Sequence, residues 1–221
     1  MNVHNAPALF DEKSENTPVP QPTLKEVSFD SVMAHHRRHR PIVSDEEAQI
    51  FDIAKRMKTP ISISNPDLVD HPIVFVNRAL EYLTGYSAET MIGANCRFLQ
   101  GKDTDRAEVA KVRDAVERRQ PTEVVLLNYT AQGDPFHNLL VIRPLWVSVD
   151  HCLLIGCQHE FNFGVRRREI ERRTFSRFDN ARELSLKARD QEAKTRQALI
   201  MRSEAMVSRI QTHLYRRAAM L

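Results

Sequence analysis

Three extended runs, 122–129, 136–147 and 152–161, constrain the fold of this chain more than any other feature. They are rich in β-branched and large apolar residues, and turn chemistry separates them, with Gln132-Gly133-Asp134-Pro135 between the first two. Connections this short join antiparallel neighbours, because a parallel crossover needs a dozen residues or more. Two earlier β-type runs, Pro60 to Ser64 and Ile73 to Val76, flank a polar Asn65-Pro66-Asp67 turn. Helical patterns lie between the early pair and the late three. Ala79 to Thr84 reads as a short helix closed by Gly85. Asp105-Arg106-Ala107-Glu108 reads as a capping box opening a helix to about Arg119, with Val109, Val112 and Val116 as its buried stripe. The body is therefore α+β.

The flanks read differently. Residues 1–43 form a polar arm interrupted by Pro7, Pro18, Pro20 and Pro22, with a basic run from His35 to Arg40. Residues 44–59 form an N-terminal cap helix. Ser44 and Glu47 make its capping box, Ile50, Phe51, Ala54 and Met57 its apolar face, and Thr59-Pro60 its end. Residues 162–221 are helical and charged. Phe175, Phe178, Ala181, Leu184 and Ala188 recur at helical spacing, then Leu199, Met206, Ile210 and Leu214. One long helix and a two-helix hairpin bending near Ala188 to Ala193 both satisfy the pattern. The narrow stripe suits packing on another helix or a second protomer. This extension carries 15 Lys/Arg against 7 Asp/Glu, so of the overall +3 charge it holds +8 and leaves −5 on residues 1–161.

Cys96, Cys152 and Cys157 show neither CxxC spacing nor histidines at metal-ligand spacing, which speaks against a disulfide framework or a zinc site. No apolar run is long enough for a membrane span, and the N-terminus lacks the order of a signal peptide. A soluble, cytoplasmic protein with no metal is the expectation.

The chemistry concentrates in Gly93-Ala94-Asn95-Cys96-Arg97-Phe98-Leu99-Gln100-Gly101. A single thiol sits between an amide and a guanidinium, with a second amide close behind. Such groups suit a planar, phosphate-bearing ligand held against a reactive sulfur. An apolar ring needs an apolar cavity, a pyrimidine edge needs amides that donate and accept together, and a phosphate needs guanidinium. The late strands add Asn128, Asn138 and Gln158. Strand parity puts Asn138, Leu140 and Ile142 on one face, and Leu154, Gly156 and Gln158 on one face. Five amides around one cavity call for a polar ligand, because an unpaired buried amide costs roughly 1–3 kcal/mol.

The run and its context, from about Pro60 to Phe161, resemble LOV (light-oxygen-voltage) domains, the flavin-binding blue-light sensors of the PAS superfamily. The resemblance implies a PAS fold for residues 60–161, a five-stranded antiparallel sheet with helices on one face. It implies that Asn95, Arg97, Gln100, Arg113, Asn128, Asn138, Leu140, Ile142, Leu154, Gly156 and Gln158 bind the flavin, with Arg97 and Arg113 on its phosphate. It implies that Cys96 forms a reversible adduct at flavin carbon C4a, and that Gln158 reorients when N5 gains a proton. The short link from Gly101 to Asp105 favours FMN over FAD or riboflavin, because relatives that take FAD tend to carry an insertion there.

The chain departs from the pattern at Ala94, where a basic or longer residue is common, and at Ser62, where an aliphatic one is. If Ser62 and Ser64 face the flavin, they admit water and shorten the adduct's lifetime. Cys152 and Cys157 take no role, and Cys157 points away from Gln158. The reading is a short photoreceptor, not an enzyme, that signals through its flanking helices to a homodimer interface or an unknown downstream protein. A light-regulated nucleic-acid binder using Arg166-Arg167-Arg168 and Arg172-Arg173, and a flavin redox sensor, are the alternatives.

Overall fold

A computed structural model describes residues 44–161 and 178–218, with the side chains of the second segment from 188 to 216. The expected arm, the two arginine clusters and Phe175 lie outside the described residues, as do the side chains of Phe178, Ala181 and Leu184.

The chain enters through helix α1 (Asp45–Lys55), whose expected capping box forms completely: Glu47 N donates to Ser44 Oγ at 3.2 Å and Ser44 N to Glu47 Oε2 at 3.1 Å. Strands β1 (Ile61–Ser64) and β2 (Ile73–Val76) follow, then α2 (Arg78–Thr84) with Gly85 as its left-handed C-cap. A short α3 (Ala88–Met91) and a 3-10 turn (Cys96–Leu99) precede α4 (Arg106–Arg118). The reciprocal half of the second capping box does not form. Asp105 caps α4 by accepting from Ala107 N at 2.8 Å, but Glu108 turns outward to pair with Lys111. Strands β3 (Thr122–Tyr129), β4 (Pro135–Trp146) and β5 (Cys152–Glu160) complete a five-stranded sheet of order β2-β1-β5-β4-β3, antiparallel throughout.

Strand alternation sends two apolar sets to opposite faces. On the inner face Val124, Leu126, Leu140, Ile142 and Leu154 pack with Val109, Val112 and Val116 of α4, as the helical stripe predicts. On the outer face Ile61, Ile63, Leu139, Val141, Leu153 and Ile155 pack with Ile50 and Ala54 of α1. They also pack with Ile200, Val207, Ile210 and Leu214 of the C-terminal helix α5 (Phe178–Ala218).

Helix α5 settles one expectation and corrects another. Its 41 residues form one continuous helix, so the hairpin at Ala188 to Ala193 is excluded; at 1.5 Å per residue the helix is about 60 Å long. The second half of its apolar stripe, Leu199, Met206, Ile210 and Leu214, docks on the chain's own sheet, where the outer face is as apolar as the inner and needs a cover. Polar contacts fix the register of α5. Arg143 reaches Glu204 at 2.6 Å and Glu123 at 2.5 Å, Gln211 Nε2 donates to Trp146 O at 2.9 Å, and His159 meets Ser203 at 2.8 Å.

Asn77 ties the start of the domain together. This buried N-cap of α2 accepts from Ile61 N and Leu80 N and donates to the carbonyls of Ala54, Met57 and Thr59. Among the described residues no helix is long and apolar enough to cross a membrane.

Candidate functional site

The inner face of the sheet, α4 and the 3-10 turn enclose a cavity that opens to solvent at one mouth. Leu126, Leu140, Ile142 and Leu154 form its apolar floor, and Val112 and Val116 its roof.

Cys96 opens the 3-10 turn, which Asn95 caps by accepting from Arg97 N at 3.0 Å. The turn aims the thiol into the cavity, with Sγ 3.8 Å from Ser64 Oγ. Burial pushes the thiol pKa up, and the hydroxyls of Ser64 and Ser62 oppose that only in part. Cys96 therefore stands as a protonated thiol at neutral pH. Arg97, the other side of the pair, reaches the rim and is bound there by Asp70, with Nη1 2.6 Å from Oδ1 and 2.8 Å from Oδ2. The Asn95 amide also turns to this loop, donating to Asp70 O at 2.6 Å.

Three amides stand on the strands opposite. Asn128 and Asn138 are buried and joined, Asn138 Nδ2 donating to Asn128 Oδ1 at 2.9 Å. Asn138 Oδ1 has no partner, the only buried side-chain polar atom so placed among the described residues. Gln158 sits on β5, its amide end 2.9 Å from Ser62 Oγ. One orientation satisfies both ends of that amide. Oε1 then accepts from Ser62, and Nε2 donates to Gly156 O at 3.2 Å and Pro60 O at 3.0 Å. Gly156 leaves the floor open between them: a Cβ there would lie 3.0 Å from Ser62 Oγ and 3.3 Å from the Gln158 amide. Gly101 is required for a different reason, because a Cβ would collide with the Tyr129 ring.

Most of the expected site residues meet at this cavity. Asn95, Cys96, Arg97, Gln100, Asn128, Leu140, Ile142, Leu154, Gly156 and Gln158 line it, and Asn138 joins through Asn128. Arg113 does not: it is exposed on α4, while Val112 and Val116 turn inward. Ser62 and Ser64 do face the cavity, the condition set for them by the sequence. Sequence reasoning did not assign Leu99, Leu126, Val112, Val116 and His71 to the site. The parity of Leu126 with Asn128 and the stripe on α4 carried that signal for three of them. Nothing in the sequence marked His71, which arrives on the β1–β2 loop.

The donor set fits a flavin. Apolar walls suit a planar ring, and the unpaired Asn138 oxygen with the neighbouring Asn128 and Gln158 amides suits an edge that both donates and accepts.

Residues 59–160 match the family model described as PAS domain. A blue-light photoreceptor of Listeria innocua is 43% identical over 100 residues, covering 45% of this chain and 40% of that protein. The matched segment thus spans about two fifths of that relative's length. The LOV domain of a blue-light activated histidine kinase from Erythrobacter litoralis is 34% identical, covering 48% of this chain and 99% of that domain, with a TM-score of 0.47. The LOV protein of Rhodobacter sphaeroides is 26% identical over 73% of this chain and 99% of its own, with a TM-score of 0.53. With the thiol, the amides and the sheet in the arrangement the sequence motif requires, residues 59–160 form a LOV domain of the PAS superfamily.

Proposed function

We propose that this chain is a blue-light photoreceptor that holds FMN in the inner cavity and signals through α5 without turning over a substrate. The observation that carries the reading is the placement of the Cys96 thiol and the Gln158 amide on the walls of one cavity that also contains an unpaired buried acceptor. A bound flavin would supply a ring that absorbs blue light and an excited-state carbon, C4a, open to a sulfur. Cys96 would supply that sulfur and the proton for ring nitrogen N5. Its raised pKa keeps the thiol proton in place until then. In darkness the carbon–sulfur bond would break and the Cys96 sulfur would recover the proton from N5.

Gln158 reads the change. Its resting orientation satisfies Gly156 O, Pro60 O and Ser62 together. A new donor at the ring edge calls for the amide oxygen instead. Ser62 tolerates the reversal, because a hydroxyl can donate or accept. The backbone carbonyls do not, so the reversal strains β5 beside them. The next residue on that strand, His159, faces outward and bonds to Ser203 of α5 at 2.8 Å. Light then shifts the docking of α5 and with it the association of the chain with a second copy or a partner protein. The 101–105 link supports FMN over FAD: Thr104 Oγ1 accepts from Gly101 N at 2.9 Å and donates to Leu127 O at 2.6 Å, which holds the link as a closed turn.

The absorption spectrum of the purified chain before and after blue light, beside Cys96→Ala, tests the reading. A structured blue band that bleaches, recovers in darkness and persists unbleached in the variant sustains it. A band that ignores light in the wild type refutes it.

A further inference from the structure

We propose that Asp70 tunes the cavity's selectivity for ligand charge: its carboxylate competes with a ligand phosphate for Arg97, which weakens the preference for FMN over riboflavin. The proposal rests on the flavin reading above. Arg97 is the only guanidinium that lines the cavity among the described residues, while Arg113 is exposed and forms no ion pair among them. A phosphate at the mouth thus meets Arg97 as the guanidinium already on the cavity wall. Both oxygens of Asp70 already converge on its Nη1, at 2.6 and 2.8 Å.

The loop that delivers this carboxylate is held there against its own backbone preference. Asp70 and His71 have φ of +67° and +47°, two successive non-glycine residues in the left-handed region. Such conformations persist where surrounding contacts enforce them. Asn95 Nδ2 grips Asp70 O at 2.6 Å, His71 Nδ1 lies 3.0 Å from Pro66 O, and His71 N donates to Leu68 O at 3.0 Å. Asparagine and aspartate both tolerate this region, so the charge at position 70 can be removed without releasing the loop.

A phosphate that reaches Arg97 meets a fixed negative charge beside it. It either displaces Asp70 or shares the guanidinium under repulsion. Riboflavin has no phosphate and meets neither penalty.

The test equilibrates the flavin-free full-length chain with equimolar FMN and riboflavin, then releases and separates the bound flavins. Separate fluorescence titrations give the two affinities. Asp70→Asn is expected to raise the bound FMN-to-riboflavin ratio about three- to tenfold, the size of one charge pair at a partly exposed rim, with riboflavin affinity unchanged. In an Arg97→Gln background the same substitution is expected to move the ratio by less than half as much. A ratio that falls in Asp70→Asn overturns the proposal, because Asp70 then anchors Arg97 for the phosphate. So does an equal change in both affinities, which marks a purely structural loop. Binding of neither flavin by the wild type refutes the flavin reading itself, an outcome distinct from an unchanged ratio.

Discussion

Asn138→Leu separates binding from stability. Asn138 is 1% exposed, with Nδ2 on Asn128 Oδ1 at 2.9 Å and Oδ1 unpaired. An unpaired buried acceptor costs roughly 1–3 kcal/mol, and a made hydrogen bond contributes about 0.5–1.5 kcal/mol. Leucine, of similar size, removes the unpaired oxygen but also removes the bond and leaves Asn128 Oδ1 unpaired in turn. The two changes nearly cancel, so the flavin-free chain is expected to keep its stability within about 1.5 kcal/mol. The flavin-loaded chain loses whatever Asn138 offers the ring edge. At roughly 1–3 kcal/mol, that weakens flavin binding by about 5- to 150-fold. Urea unfolding of the flavin-free chain measures the first quantity, and a flavin fluorescence titration the second. A loss of stability above about 3 kcal/mol with unchanged flavin affinity would refute the argument. It would place Asn138 with Asn77, whose amide is satisfied by the protein alone.

Other residues give sharper tests of the output. Ser203→Ala leaves the His159 donor unpaired where Ser203 was 1% exposed, a cost of roughly 1–3 kcal/mol; faster amide exchange across residues 199–214 checks it, and unchanged exchange counts against the contact. Ser62→Val removes a hydroxyl from beside Gln158 and Cys96 and is expected to slow dark recovery severalfold; an unchanged rate defeats the idea that Ser62 admits water. Burial, and then the charge of Arg202, hold the His159 imidazole below its ordinary pKa of 6.5. The unfolded chain therefore takes up this proton first as pH falls, and stability is full above about 6.5 and declines below it toward the lowered folded value. Urea midpoints measured between pH 8 and pH 5 should fall less in His159→Gln than in the wild type, and equal slopes would remove His159 from the account.

The sheet was legible because its strands alternate, and so was the site, because alternation also decides which amides share a face. Parity alone put Asn138, Leu140 and Ile142 on one face of their strand and Leu154, Gly156 and Gln158 on one face of theirs, and the register pairs Leu140 with Gln158 and Ile142 with Gly156. Arg113 could not be placed by that signal: on a helix, one residue turns the side chain by 100°, and Val112 and Val116 hold the inward positions while Arg113 stays exposed. The β1–β2 loop was not legible at all. Its left-handed pair, Asp70 and His71, depends on a grip from Asn95, which is distant in sequence. The helical stripe around Ile210 and Leu214 was legible as a stripe but not in its partner, because an apolar row specifies burial without saying whether another chain or the same sheet supplies it.

That the partner is the same sheet changes how a signal must travel. In strand β5 the residues alternate between the cavity and the face that receives α5. Gln158 and His159 are covalent neighbours on opposite sides of one peptide. Rotation of one cannot be absorbed by a loop, because β5 is paired along both edges, to β1 and to β4. The strain must pass either along the ladder or through the outward side chain to Ser203. Arg143, on β4 opposite Ile155, grips Glu204 at the adjoining position of α5. Two neighbouring strands thus hold consecutive residues of one helix, 203 by a hydrogen bond and 204 by an ion pair. A shear between β4 and β5 acts on both at once, while a change confined to the cavity acts on neither. On the proposed reading, the output would be a movement of β5 against β4, registered by the helix that both strands hold.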